Sequence, residues 1–317
     1  MLIHSETEYE DLLGQWSDLE SGLGVILGNP GSSQEFVHRV LQYDRWMQGL
    51  MLRDPDAGLY LLFQLAGNSP VGYSASHALV CATLCHLIAA ELDTAARERD
   101  SLVHAALTMN IGMTRLQDVL ARQAEKPSPE QKEAIRLHAQ KGAHLLETLG
   151  VGNELWLDIV QAHHNETLEK TAIAELPAAA RLTRVLQVVD RYAAMISPRM
   201  SRAGRSATES ARSVMANASA KSDPVAHALV KAVGLCPPGT YVRLDSEELA
   251  VVLRRSSRSN QPFVAIVGNA NGELMAMPRL HATAQAAPYI RAALSASAVR
   301  AHVNHFHVLQ LSAHASE

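Results

Sequence analysis

Apolar positions recur at helical spacing along most of the chain. Over residues 8–27, Leu12, Leu13, Trp16, Leu19, Leu23 and Ile26 share one helical face, and Gly28-Asn29-Pro30-Gly31 ends the pattern. Ser32 or Ser33 is placed to cap a second helix, whose stripe includes Phe36, Val37, Val40, Leu41 and, less regularly, Trp46 and Leu50. Asp54-Pro55-Asp56 reads as a turn and cap before the apolar segment Leu59–Leu65. These predict an N-terminal helical region over residues 1–70. It is either a prelude to the main domain or a separate sensing or dimerising module.

A longer helical pattern runs from about Tyr73 to Asn217, punctuated by Pro127, Pro129, Gly150, Gly152, Pro177 and Pro198. It ends in a polar stretch that suits a surface loop and an amphipathic helix. Near Pro237-Pro238-Gly239 the period changes. YVRLD, LAVVLRRS and FVAIVG are short β-branched runs, and Gly268-Asn269-Ala270-Asn271-Gly272 is a turn before ELMAM. The expected fold is mainly α: a multi-helix bundle over 71–236 with a small antiparallel β appendage over 237–317. The last 35 or so residues are ambiguous, PYIRAALSASAVRAHV having a helical look and FHVLQL a strand-like one.

Composition narrows the chemistry. At 317 residues, 47% hydrophobic and 19% charged, the chain can bury a large core, and aromatics at 4% leave the packing to Ala, Leu and Val. A net charge of −4 gives no electrostatic reason to expect nucleic-acid or membrane-surface binding. Cys81, Cys85 and Cys236 cannot build a disulfide framework, and the first two read as small buried thiols on one helix face. The N-terminus lacks a basic and apolar leader pattern, and no run approaches about 20 uninterrupted apolar residues. A cytoplasmic location is the expectation.

Fifteen histidines bring in metal chemistry. His77, His138, the pair His163-His164, and Asp190 stand in a spaced order along the helical region, and neutral imidazoles with a carboxylate suit iron, manganese or zinc. Adjacent histidines on a helix point about 100° apart, so His163 and His164 could serve neighbouring ions. Isolated histidines such as His38, His86, His104, His144 and His227 read as surface or satisfied core residues. His302, His305, His307 and His314 read as structural or solvent-facing.

In its ordered landmarks the chain resembles the HD-GYP branch of the HD superfamily, helical metal-dependent phosphohydrolases whose best-known substrate is cyclic di-GMP. The resemblance covers roughly residues 73–253. It rests on His77, LVHAALTMNIGM, EAIRLHAQKGAHLLETLG, IVQAHHNE, LPAAARLTRVLQVVDRYAAMISPRMSR and PPGTYVRLDSEELAVVL, in that order. It implies an HD-type helical bundle, metal ligands at His77, His138, His163, His164 and Asp190, and ligand phosphates near Arg199 and Arg202. Those two arginines equally suit surface ion pairs, and Asp190 equally suits orienting a neighbouring imidazole.

The departures from the family pattern are specific. Its His-Asp pair followed by Ile-Gly-Lys is here Met109-Asn110-Ile111-Gly112-Met113, and the glutamate one turn before the first histidine is Tyr73. The Gly-Tyr-Pro segment is replaced by Asn165-Glu166-Thr167-Leu168-Glu169-Lys170. Met109 and Met113 read as apolar packing in a vacated polar site. The expectation is a degenerate centre holding one divalent transition metal or none, in a signalling sensor for a cyclic dinucleotide or other phosphate-containing ligand, or in a module for a protein partner. The alternatives are a working phosphodiesterase with a reduced metal centre, and a structural regulator dimerised through its N-terminal helices.

Overall fold

A computed structural model describes residues 6–69, 71–165, 172–216, 223–258, 260–299 and 303–315. The segment in place of Gly-Tyr-Pro after Asn165, the end of the polar stretch at 217–222, and His302 lie outside the described residues. The chain begins with α1 (Glu6–Gly28), α2 (Phe36–Arg53) and α3 (Pro55–Asn68). There follow α4 (Tyr73–Glu91), α5 (Ala96–Thr108), α6 (Thr114–Ala121), α7 (Pro129–Thr148), α8 (Glu154–Ala162), α9 (Ala178–Ile196), α10 (Ala207–Ala216) and α11 (Pro224–Val233). The strands are β1 (Tyr241–Leu244), β2 (Leu249–Arg254), β3 (Phe263–Gly268), β4 (Leu274–Ala282) and β5 (Ile290–Ala293), followed by α12 (His305–Gln310). This is the mainly helical fold with a small antiparallel appendage that the hydrophobic pattern predicts.

The core is organised around α4. Every residue from Ser74 to Cys85 is buried, because α4 packs against α1, α3, α5, α6, α9 and α11. A helix apolar all round belongs in an interior. By length and mean hydropathy Tyr73–Glu91 could cross a bilayer, although polar residues interrupt its apolar run. In the fold, 78% of an 18-residue window of that helix is buried inside the protein. On α9, Leu182, Val185, Leu186, Val189 and Tyr192 form the buried stripe opposite, at three- and four-residue spacing.

The sheet order is β4-β3-β2-β1-β5, with every neighbouring pair antiparallel. Period-two alternation in β2 sends Leu249, Val251 and Leu253 into the helical core. Ala250 and Val252 join Val242, Leu244, Val264 and Ile266 in a second apolar cluster on the other face.

A buried polar latch ties the sheet to the N-terminal helices. Asp54 Oδ1 caps α3 by accepting the Asp56 and Ala57 backbone N–H groups at 3.0 Å each. Its Oδ2 accepts from Tyr9 Oη at 2.8 Å and from the Arg254 guanidinium at 2.5 Å. One residue on, Arg255 Nε donates to Asp56 at 2.5 Å. Burial and then the neighbouring Asp54 charge hold the Tyr9 phenol well above its ordinary range, so it stays a donor.

Two local expectations are corrected. Neither Ser32 nor Ser33 caps α2. Residues 30–32 make a short 3-10 turn in which Ser32 Oγ donates to the Asn29 carbonyl, and α2 starts after Glu35 with no side-chain cap. The C-terminal assignments exchange. Ile290–Ala293 is a strand because β1 offers it a free edge, and His305–Gln310 is a helix capped by the Asn304 side chain.

Asp54→Ala removes one partner of a buried ion pair and a helix cap together, and is expected to lower the unfolding free energy by about 3 kcal/mol. Urea denaturation followed by circular dichroism measures it; a change below about 1 kcal/mol, the surface-pair range, would contradict the latch.

Candidate metal centre

Two histidines are set by α7 and the end of α8. The α7 start is fixed by Pro129 and a capping box, in which Ser128 Oγ accepts from the Gln131 N–H and the Gln131 side chain accepts from the Ser128 N–H. Gly112, in the turn after α5, lies so close to α7 that a Cβ there would stand 2.5 Å from the His138 carbonyl oxygen. Only glycine allows that approach, and it presses the turn against the His138 backbone. α8 opens with Asn153 capping the Trp156 N–H and stops at Ala162, so His163 caps the helix and His164 lies beyond it. The 100° helical offset between adjacent residues therefore does not apply. Both rings turn to His138, with centroids 5.1 Å and 4.9 Å from it.

The protonation pattern follows from acceptors. His138 Nδ1 lies 2.5 Å from the Ile135 carbonyl, and His163 Nδ1 lies 2.6 Å from the Val160 carbonyl. A carbonyl only accepts, so each Nδ1 carries the proton and each neutral ring keeps a bare Nε2 lone pair. Those two lone pairs face one another at 3.2 Å. Burial pushes the His138 pKa down, and burial followed by the neighbouring His164 pushes His163 down to about 3, so neither ring readily takes the proton that would relieve the contact.

A cation fits there. Two nitrogens about 2.1 Å from one ion, at an angle near 100°, lie about 3.2 Å apart. The ligand atoms of His138, His163 and His164 are all within 4.8 Å of one another, and the carbonyl-bound Nδ1–H groups are the outer-shell bonds that metal-ligating histidines use. His138 and His163 are buried and His164 is exposed, which leaves one side of the trio open to solvent.

A second group comprises His77, Cys81 and Asp190. His77 Nε2 lies 2.8 Å from Asp190 Oδ1 and 3.6 Å from Cys81 Sγ. Burial alone would raise the Asp190 pKa; the His77 hydrogen bond and the His77, His163 and His164 charges outweigh it and bring the carboxyl down to about 2. His77 Nδ1 is buried with no hydrogen-bond partner. Were Nε2 to bind a metal, Nδ1 would carry a proton with nothing to receive it. Nε2–H donating to Asp190 leaves only a bare acceptor, the cheaper arrangement. Burial raises the Cys81 thiol far above its usual range, and a protonated thiol is a poor ligand. The chemistry of this group suits a hydrogen-bonded pair better than a metal site.

Tyr73 seals that pair on one side. Its ring stacks on His77 at 5.4 Å, the Arg199 guanidinium sits 4.6 Å from the Tyr73 centroid, and Arg199 Nη2 donates to Tyr73 Oη at 2.8 Å. Arg202 is exposed and donates to the Ala194 carbonyl. Met109 is 1% exposed, inside the main apolar core. Asn110 gives its backbone carbonyl to the Met113 N–H in the turn that starts α6, and Met113 is half-buried there.

Beside Tyr73 a cleft of about 590 Å³ is lined by Tyr73, Ser76, Asp118, Arg122 and Arg199. The α4 N-terminus opens on it at Gly72, whose φ of 150° lies in the region glycine favours. The Asp118 carboxylate accepts the Ser74 N–H there at 2.8 Å. Sequence reasoning missed the Tyr73–Arg199 contact and the Asp118 cap, which join positions 126 and 44 residues apart. Cys81 had a signal, its i+4 spacing from His77, but reads equally as packing. Of the isolated histidines, His104 is a satisfied core residue, 3.0 Å from the Asp44 carboxylate and tilted against the Trp156 ring.

Residues 62–225 match the family described as HD domain. Over 217 residues the chain is 31% identical to a cyclic di-GMP phosphodiesterase of Pseudomonas aeruginosa, an alignment that takes in 66% of this chain and 50% of that protein. The chain thus spans about half the length of that curated relative. No solved structure matches it.

Elemental analysis of protein purified without chelator is expected to find about one transition-metal ion per chain. His138→Ala or His163→Ala should weaken retention by more than the roughly 10–100-fold cost of losing an outer-shell bond, while His77→Ala leaves stoichiometry unchanged. Metal loss on His77→Ala alone would contradict the assignment.

Proposed function

The chain belongs to the HD-domain family, and from that premise we propose that it binds a cyclic dinucleotide of the cyclic di-GMP type as a signalling sensor, at a centre reduced to one metal ion. On this reading it is a degenerate member of the HD-GYP branch. His138, His163 and His164 would hold the ion, which when bound supplies a Lewis acid that attracts the negative charge of a phosphodiester. The donor set accommodates iron, manganese or zinc.

The observation that carries the reading is what stands where a second ion would need its ligands. Met109 offers a thioether buried in the apolar core, and Asn110 is neutral. Tyr73 replaces a carboxylate with a ring stacked on His77 and locked by Arg199. Two cations a few ångströms apart need anionic groups between them, and this arrangement supplies few. Among the described residues, Asp190 is the one carboxylate in the two ligand groups, and His77 already engages it. The chain's own residues would therefore orient and retain a phosphodiester rather than drive efficient cleavage. Arg199 and Arg122, lining the cleft beside Tyr73, supply the cationic contacts to its phosphates. A signalling protein partner would read the occupied state.

A second reading, slow hydrolysis at the single ion, is favoured by one observation: His164 is exposed, so solvent reaches the trio. Calorimetric titration of the metal-loaded full chain with cyclic di-GMP, with product analysis by chromatography, separates the two. The sensor reading expects saturable binding, no cleavage above a metal-free control, and about tenfold weaker binding in Arg199→Ala. Absence of saturable binding would overturn it. Cleavage that scales with bound metal and is abolished in His163→Ala would establish the second reading instead. Asn110→Asp is expected to raise the metal stoichiometry above that of the unmodified chain, measured by elemental analysis, because it returns an anionic ligand to the half-buried turn.

A further inference from the structure

A groove of about 810 Å³ lies between α10, α11 and the β2–β3 connection, lined by residues that the metal centre and its cleft do not use. Its size falls within the range of small-molecule sites. Met215, Val230, Leu235 and Pro262 give it apolar walls. Its charged lining residues are Arg212, Lys231, Arg255 and Arg258, with no carboxylate among the described lining residues, in a chain of net charge −4.

The four cations are not equivalent. Lys231 pairs with Glu91, Arg255 with Asp56, and Arg258 donates to the Ala284 carbonyl. Arg212 has no hydrogen bond or ion pair among the described residues, and it is exposed on α10 at the groove. His227 donates from Nδ1 to the Asp223 carbonyl, so its neutral ring keeps a bare Nε2. One unneutralised guanidinium over apolar walls, with three further cations partly engaged, suits a ligand with an anionic head and an apolar body. A multiply charged nucleotide would find few apolar contacts used and too few free cations.

We propose that this groove is a second ligand site, separate from the histidine centre, for a small organic anion with an apolar or aromatic body, whose charged group is held by Arg212. The walls would exclude water from the body of such a molecule, and its head would sit at the exposed end of the groove.

The test uses 8-anilinonaphthalene-1-sulfonate, an aromatic sulfonate, on the full metal-loaded chain. Fluorescence titration is expected to give one saturable site, weakened about tenfold in Arg212→Glu and largely kept in Arg212→Lys. Arg45→Glu, the same charge change at an exposed position on α2, should bind as the unmodified chain does. Cys236 lines the groove and is part-exposed, whereas Cys81 and Cys85 are buried. Bound probe should therefore slow maleimide labelling of Cys236, and saturating cyclic di-GMP should not displace the probe. Equal binding by Arg212→Glu, unslowed labelling of Cys236, or displacement by cyclic di-GMP would overturn the proposal. The Cys236 readout places the site whatever the fate of the cyclic-dinucleotide reading.

Discussion

Two imidazole lone pairs aimed at each other across 3.2 Å are the constraint on which the functional centre depends. Each is unavoidable in a neutral ring, because the other nitrogen of that ring gives its proton to a backbone carbonyl three residues earlier. Neither carbonyl can move without unwinding the turn of α7 or α8 that contains it. The backbone thus fixes the tautomers, and the tautomers leave a gap that asks for a cation. The same logic separates the two ligand groups. His77 lacks an acceptor for Nδ1, so its best partner is the Asp190 carboxylate and not an ion.

Much of the fold serves that contact. α4 runs through the interior and carries Tyr73 and His77 at its first turns. α9 lies against it and brings Asp190. The turn around Gly112 is pressed to the backbone of α7 at His138, an approach that only glycine allows. Met109 is part of this economy. Its thioether is buried in the main apolar cluster, where a soft, flexible side chain fills irregular space. The Asp54 latch holds the β appendage to the N-terminal helices independently of the centre.

The sequence made the architecture legible where periodicity was strong. α1, α7 and α9 follow apolar stripes, α4 is apolar all round, and the short β-branched runs pair as strands. It failed where tertiary contacts decide the outcome. Ile290–Ala293 has helix-forming neighbours but meets the free edge of β1, and an edge with unpaired backbone groups outweighs local propensity. His305–Gln310 alternates like a strand, yet Asn304 caps it as a helix against the core. At the candidate centre the order along the chain singled out residues that the fold gathers into two groups, His138 with His163 and His164, and His77 with Asp190. The grouping was not legible: nothing local tells that His163 and His164 both turn to His138 because α8 stops at Ala162, or that Tyr73 takes Arg199 as its partner from 126 residues away.

The proposed centre holds a single ion on three imidazoles, with no neighbouring ion. X-ray absorption at the metal edge of the purified full chain tests it most directly. A first shell of about three imidazole nitrogens with oxygen, and no metal scatterer beyond it, is the predicted result. A metal–metal vector at about 3.5–4 Å, or a sulfur in the first shell, would contradict it.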